Sequence, residues 1–145
     1  MVEYKNILIC TDFSEDANIA FLHALNLAKK YGAKLHILHI IHDPFNLNGW
    51  NLPAPAFNDE YKKMADKARK ELDHMIQTEK AEGLAIEERI ESGEPADEIQ
   101  KVVESENIDL ILMLAHKEGR FEHFLFGKTN DAIIRRLPAT LMLVK

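Results

Sequence analysis

Short apolar runs alternate along the chain with stretches of helical periodicity. Asn6-Ile7-Leu8-Ile9-Cys10, Leu35 to Ile41, Ile108 to Ala115 and Thr140 to Val144 are four to eight residues of nearly unbroken hydrophobicity. Runs of that length suit strands covered on both faces. Leu84 to Glu91 instead alternates apolar with charged residues, which reads as an edge strand. Between the first two runs, Ser14 is a good helix N-cap, and Ala17, Ala20, Phe21, Ala24 and Ala28 recur at helical spacing. Gly32 ends that helix as its C′ residue. Asn58 to Glu82 forms a long amphipathic helix with its stripe on Tyr61, Met64, Ala65, Ala68, Leu72, Met75 and Ile76, closed by Gly83. Pro95 sits near the first position of a third helix, whose buried side is Ile99, Val102 and Val103. Thr129 to Arg136 is the fourth, stopped by Pro138. Strand and helix thus alternate from end to end. The expected fold is α/β: one domain over residues 1–145, a doubly wound, mostly parallel five-stranded sheet with helices on both faces. The pattern does not fix the strand order.

At 145 residues the chain is long enough for a real core. Its formal net charge of −6 argues against general nucleic-acid binding, which needs a basic face. No apolar run is long enough to cross a bilayer, and Met1-Val2-Glu3-Tyr4-Lys5 lacks the pattern of a secretion signal. The single cysteine has no intramolecular partner. These features point to a cytoplasmic protein without membrane or nucleic-acid partners.

The segment from Ile108 to Arg136 concentrates the functional signal. A strand opens into a polar loop holding Gly119 and Gly127 and then into a helix N-terminus, whose unpaired N–H groups favour negative charge. Gly127-Lys128-Thr129 does not complete a Walker A loop, because Glu122 occupies the position five residues before Gly127 where that motif has glycine. The structural alternative is that Gly127 relieves a tight turn, Thr129 caps the last helix and Lys128 is solvated. His36 and His39 fall on opposite faces of a strand, and His36 and His42 stand roughly 20 Å apart at about 3.3 Å per residue, so no single metal joins the three. Structural or surface roles are expected for them. His116 and His123 lie in the loop and either contact phosphate when protonated or are simply polar. Cys10 reads as a packed small side chain, since no basic residue lies near it in sequence. Phe121, Phe124, Leu125 and Phe126 make the loop more apolar than a phosphate cradle, and are expected to pack over the sheet end or against a partner. His42 to Phe57, rich in Pro, Asn and Gly, reads as a long loop of the kind that forms lids or mobile surface.

Five stretches in order carry a resemblance to a known family: Ile7-Leu8-Ile9-Cys10-Thr11-Asp12-Phe13-Ser14, Ala33 to Ile40, Gly93-Glu94-Pro95-Ala96-Asp97-Glu98-Ile99, Ile108 to Met113, and Arg136 to Val144. Over nearly its full length the chain resembles a single-domain universal stress protein of the UspA type. The resemblance implies a Rossmann-like fold of the adenine nucleotide alpha hydrolase kind, strand order 3-2-1-4-5, and a homodimer formed through the strand at 140–144. It also implies ATP, with magnesium, at the C-terminal ends of strands 1 and 4. Carried over, Thr11 and Asp12 are the turn that meets adenine or ribose, and the backbone at Ile40 meets adenine. The family's pattern of Gly, two residues, Gly, nine residues, Gly, then Ser or Thr falls on Leu114, Lys117, Gly127 and Lys128, with Thr129 one place later. Two of the three glycines are therefore replaced, and with them the close backbone approach that glycine permits. Lys117, Arg120 and Lys128 add positive charge that could hold a triphosphate differently.

Three readings follow. One is a stress-response regulator or sensor that binds adenine nucleotide. A second is a dimeric interaction module of the same fold, with Leu114 and the phenylalanines closing the pocket. The third, an enzyme amounting at most to a slow ATPase, is weakest, because no paired carboxylates and no nucleophile with an adjacent base lie at the loop. The downstream protein partner is unknown.

Overall fold

The computed structural model describes residues 1–11, 15–41, 54–115 and 124–145. Its elements run β1 (Asn6–Cys10), α1 (Glu15–Tyr31), β2 (Lys34–Ile41), α2 (Ala54–Ala81), β3 (Ile86–Ser92), α3 (Pro95–Ser105), β4 (Leu110–Leu114), α4 (Phe124–Arg136) and β5 (Thr140–Val144). All strand pairs are parallel, and the sheet order is β3-β2-β1-β4-β5. This is the order that the family resemblance implies. The turn at Asp12 and Ser14, the segment 42–53 with Trp50, and the loop carrying His116, Lys117, Gly119, Arg120, Phe121 and His123 lie outside the described residues.

Strand alternation divides the core into two layers. Ile7, Ile9, Leu35, Ile37, Leu110 and Leu112 face α1 and α2, where they meet Ala20, Phe21, Ala24, Leu25, Ala28, Leu72 and Ile76. Leu8, Leu38, Ile111 and Met113 face the other side, against Ala96, Ile99, Val102 and Val103 of α3 and Ile133 of α4. The alanines of α1 matter here because Ala24 and Ala28 are fully buried, and a small side chain lets the helix axis lie close to the sheet. Gly32 and Gly83 close α1 and α2 at φ +64° and +91°, the left-handed conformation that glycine adopts without penalty.

The strand that alternates in sequence is indeed an edge, and it is only half-buried along most of its length. Two helices are longer than their sequence patterns. α2 starts at Ala54, so 54–57 is helix rather than loop; Pro55 falls in the first turn, where no amide hydrogen is needed. α4 starts at Phe124, five residues before the expected start. Gly127 and Lys128 therefore lie within the helix, and Thr129 is its sixth residue rather than its cap. A glycine inside a helix costs only about 1 kcal/mol relative to alanine, an amount the neighbouring turns can outweigh.

Candidate functional site

β1 and β4 meet where the strand order reverses; they are bonded to each other at the N-terminal end and each to its outer neighbour at the C-terminal end. At the N-terminal end, the amide of Lys5 donates to Asp109 Oδ2 at 2.8 Å, and the amide of Asp109 donates to the Asn6 carbonyl at 3.0 Å. The register then runs Ile7 to Leu110, Leu8 to Ile111 and Ile9 to Leu112. Beyond Ile9 and Leu112 the two strands no longer pair with each other, and Thr11 and Leu114 stand at their exits. At the C-terminal end, the Thr11 amide donates to the Leu38 carbonyl at 2.9 Å, and the Ala115 amide donates to the Val144 carbonyl at 2.7 Å. Both chains are therefore held by the sheet up to the point where they leave it. Parallel α/β sheets bind ligands in the crevice at such a reversal, beyond the C-terminal strand ends.

Thr11 is buried, and Ile40 and Leu114 are half-buried around this crevice. The Leu114 side chain occupies the place of the first glycine in the family pattern. Two contacts here were not expected from the sequence. His39 Nδ1 lies 2.8 Å from the Thr11 carbonyl oxygen. A carbonyl only accepts, so Nδ1 carries the hydrogen and β2 holds the exit of β1 by a side-chain donor. Asn130 Nδ2 donates to the Leu114 carbonyl at 2.7 Å, joining the second turn of α4 to the end of β4. Asn130 is buried, and its Oδ1 has no hydrogen-bond partner among the described residues. A buried amide oxygen without a donor is uncommon.

The sequence-predicted residues thus divide. Thr11, Ile40, Leu114 and Thr129 are drawn to the same end of the sheet, Thr129 through its neighbour Asn130. Gly127 is placed in α4, where the free amide hydrogens belong to the first four residues, Phe124 to Gly127, rather than to residues after Thr129. Asp12, Lys117 and the Lys128 side chain lie outside what is described. The signal for Asn130 was present as a polar Thr129-Asn130-Asp131 step inside a helical segment, but side-chain direction cannot be read from spacing alone. Burial pushes the Cys10 thiol up to about 12, so it carries no thiolate near neutral pH. That fits the packed, unreactive role read from its apolar strand. No helix among the described residues is long and apolar enough to cross a membrane.

The model of the universal stress protein family matches residues 3–145. A putative universal stress protein of Staphylococcus haemolyticus is 31% identical over 100% of this chain and 87% of its own length. A universal stress protein of Methanocaldococcus jannaschii is 29% identical over 99% of this chain and 96% of its own. The solved structure of the M. jannaschii protein superposes with a TM-score of 0.80 at 28% identity, covering 99% of this chain and 97% of that one. With a five-stranded sheet of the same order and an extended match in sequence, the chain belongs to the universal stress protein family.

Proposed function

We propose that this protein is an adenine-nucleotide-binding regulator that acts as a dimer in the cytoplasm, with its ligand in the crevice between the ends of β1 and β4. The observation that carries the reading is the reversal of strand order between those two strands, which pair as far as Ile9 and Leu112 and then leave the sheet at Thr11 and Leu114. Solved structures of the same fold have been obtained in complex with cAMP, at 22% identity, and with dAMP, at 17% identity. At that distance they speak for what the fold accommodates. A monophosphate ligand also suits this chain better than a fully cradled triphosphate. Leu114 stands in place of a glycine, and a side chain there restricts how closely backbone can wrap the phosphates. Adenine and ribose would meet Thr11, Asp12 and the backbone at Ile40, and phosphate the N-terminal turn of α4 that includes Gly127, with Lys117 and Lys128 supplying charge.

The second reading, a dimeric module that binds no nucleotide, draws on the same leucine. Asn130 donates to the Leu114 carbonyl, which fixes the backbone at the position where the family pattern has glycine, so a leucine side chain stands at that fixed point. Melting curves separate the two. With millimolar AMP, ATP or Mg-ATP, a ligand at a hundred times its Kd adds about 2.7 kcal/mol, visible as a rise of several degrees. We expect a larger rise for AMP than for ATP. No rise for any of them in the wild type, with a rise appearing in Leu114→Gly, would establish the second reading and end the first.

A further inference from the structure

At the opposite end of the sheet from the nucleotide crevice, on the face covered by α3, a histidine and two carboxylates converge. One ring nitrogen of His36 on β2 and one carboxylate oxygen each of Glu87 on β3 and Glu106 at the end of α3 lie within 4.8 Å of one another. His36 is only 1% exposed, whereas Glu87 and Glu106 are partly open to solvent. The histidine is also oriented. Asn6 Nδ2 donates to the Asn107 carbonyl at 3.4 Å, which turns Asn6 Oδ1 towards His36 Nε2, 3.3 Å away. Oδ1 only accepts, so Nε2 carries the ring hydrogen and Nδ1 is a bare lone pair. Nδ1 is buried and has no hydrogen-bond partner among the described residues. An imidazole whose distal N–H is held by an amide oxygen while the other nitrogen points free is the arrangement of a metal-ligating histidine with its outer support in place.

We propose that His36 Nδ1, Glu87 and Glu106 form a site for a divalent transition-metal ion of the zinc class. One imidazole and two carboxylates suit such an ion. Ligand atoms about 2 Å from a tetrahedral ion stand about 3.3 Å apart, against the 4.8 Å within which a ring nitrogen of His36 and the two carboxylates already lie. The position between the carboxylates is held by a cation in the absence of metal: Arg89 pairs with Glu87 at 3.0 Å and with Glu106, and Lys34 pairs with Glu87 at 2.5 Å. Arg89 Nε is itself buried without a partner. The guanidinium is thus incompletely satisfied where it lies, and its side chain, 27% exposed, has an open side towards which it can swing. Metal binding is an exchange in which the ion displaces Arg89 from both carboxylates and takes up the idle lone pair of His36.

The test is a calorimetric titration of the full chain with Zn²⁺ alone, stripped of metal and free of nucleotide, alongside long-range ¹H–¹⁵N spectra of the His36 ring. The expected results are one ion per chain, at least tenfold weaker binding in Glu106→Gln, about tenfold tighter binding in Arg89→Gln, and a large shift of His36 Nδ1 with Nε2 still protonated. Absence of stoichiometric binding would overturn the site. So would affinity unchanged by Glu106→Gln, which would assign the ion to other histidines, or an unmoved Nδ1 resonance. The wild-type spectrum and the Glu106→Gln comparison decide the matter even if Arg89→Gln does not fold.

Discussion

His36 shows how a single buried residue couples this fold to its solution conditions. Burial lowers its pKa from the ordinary value of 6.5, partly opposed by Glu87 and Glu106 and reinforced by Lys34 and Arg89. The unfolded chain therefore takes up a proton at 6.5 before the folded one does, and stability falls as pH drops below that value. Glu87 works in a lower window: its bond to Lys34 depresses its pKa below 4.5, so its contribution is lost only as pH falls further. Urea titrations with a chelator present at pH 7.5 and 5.5 should show a loss of up to about 1.4 kcal/mol per pH unit attributable to one group. In His36→Gln the loss over that interval should shrink, and an equal loss would assign the effect elsewhere. In sequence His36 was legible only as a residue on the opposite strand face from His39. Its structural assignment holds for its bond to Asn6, but its convergence with Glu87 and Glu106 depends on pairing β2 with β3 and on where α3 ends, neither of which local spacing reveals. Cys10, by contrast, was readable directly, because an apolar strand with no nearby cation leaves a thiol nothing to ionise for.

Among the elements, strands were the most legible and helix starts the least. A buried parallel strand needs hydrophobicity on both faces, which leaves an unbroken run in the sequence, as in β1, β2 and β4; β5 carries such a run too, but it lies at the sheet edge and is only partly buried, contrary to the expectation of cover on both faces. Helix starts depend on capping and on what the first turn packs against. Gly127 reads as a breaker in isolation, yet α4 runs through it from Phe124. Half of the candidate site was reached in the same way. Thr11, Ile40 and Leu114 end strands and could be placed from strand boundaries, whereas Asn130 and the Thr11 carbonyl's contact with His39 are side-chain bonds across elements. β5 carries a further expectation. Among the described residues it pairs only with β4, and its outer edge there offers unpaired backbone beside Leu143, 45% exposed, and Leu137, 62% exposed, just past the end of α4. An edge of this kind is a template for pairing with another chain. We place the interface of the proposed homodimer there. Leu143→Glu, a change at an exposed position, should give a monomer by light scattering while leaving the melting transition cooperative. A dimer of unchanged mass would place the interface on another surface.

For the molecule as a whole, the account depends on one topological fact with one functional consequence. Strand order 3-2-1-4-5 brings the exits of β1 and β4 side by side, and Asp109 at one end and Asn130 at the other fasten β4 in that place. The order itself was not legible from periodicity, since any arrangement of five parallel strands would satisfy the same burial pattern. Family resemblance supplied it, and the pairing registers agree. The most direct measurement is an amide chemical-shift titration with AMP on the isotope-labelled chain. The account predicts saturable shifts clustered at Thr11, Asp12, Ile40, Leu114 and the first two turns of α4 around Gly127 to Thr129, with little change at His36, Glu87 and Glu106 at the far end of the sheet. Saturable shifts centred away from the β1 and β4 exits, or none at millimolar AMP, would contradict it.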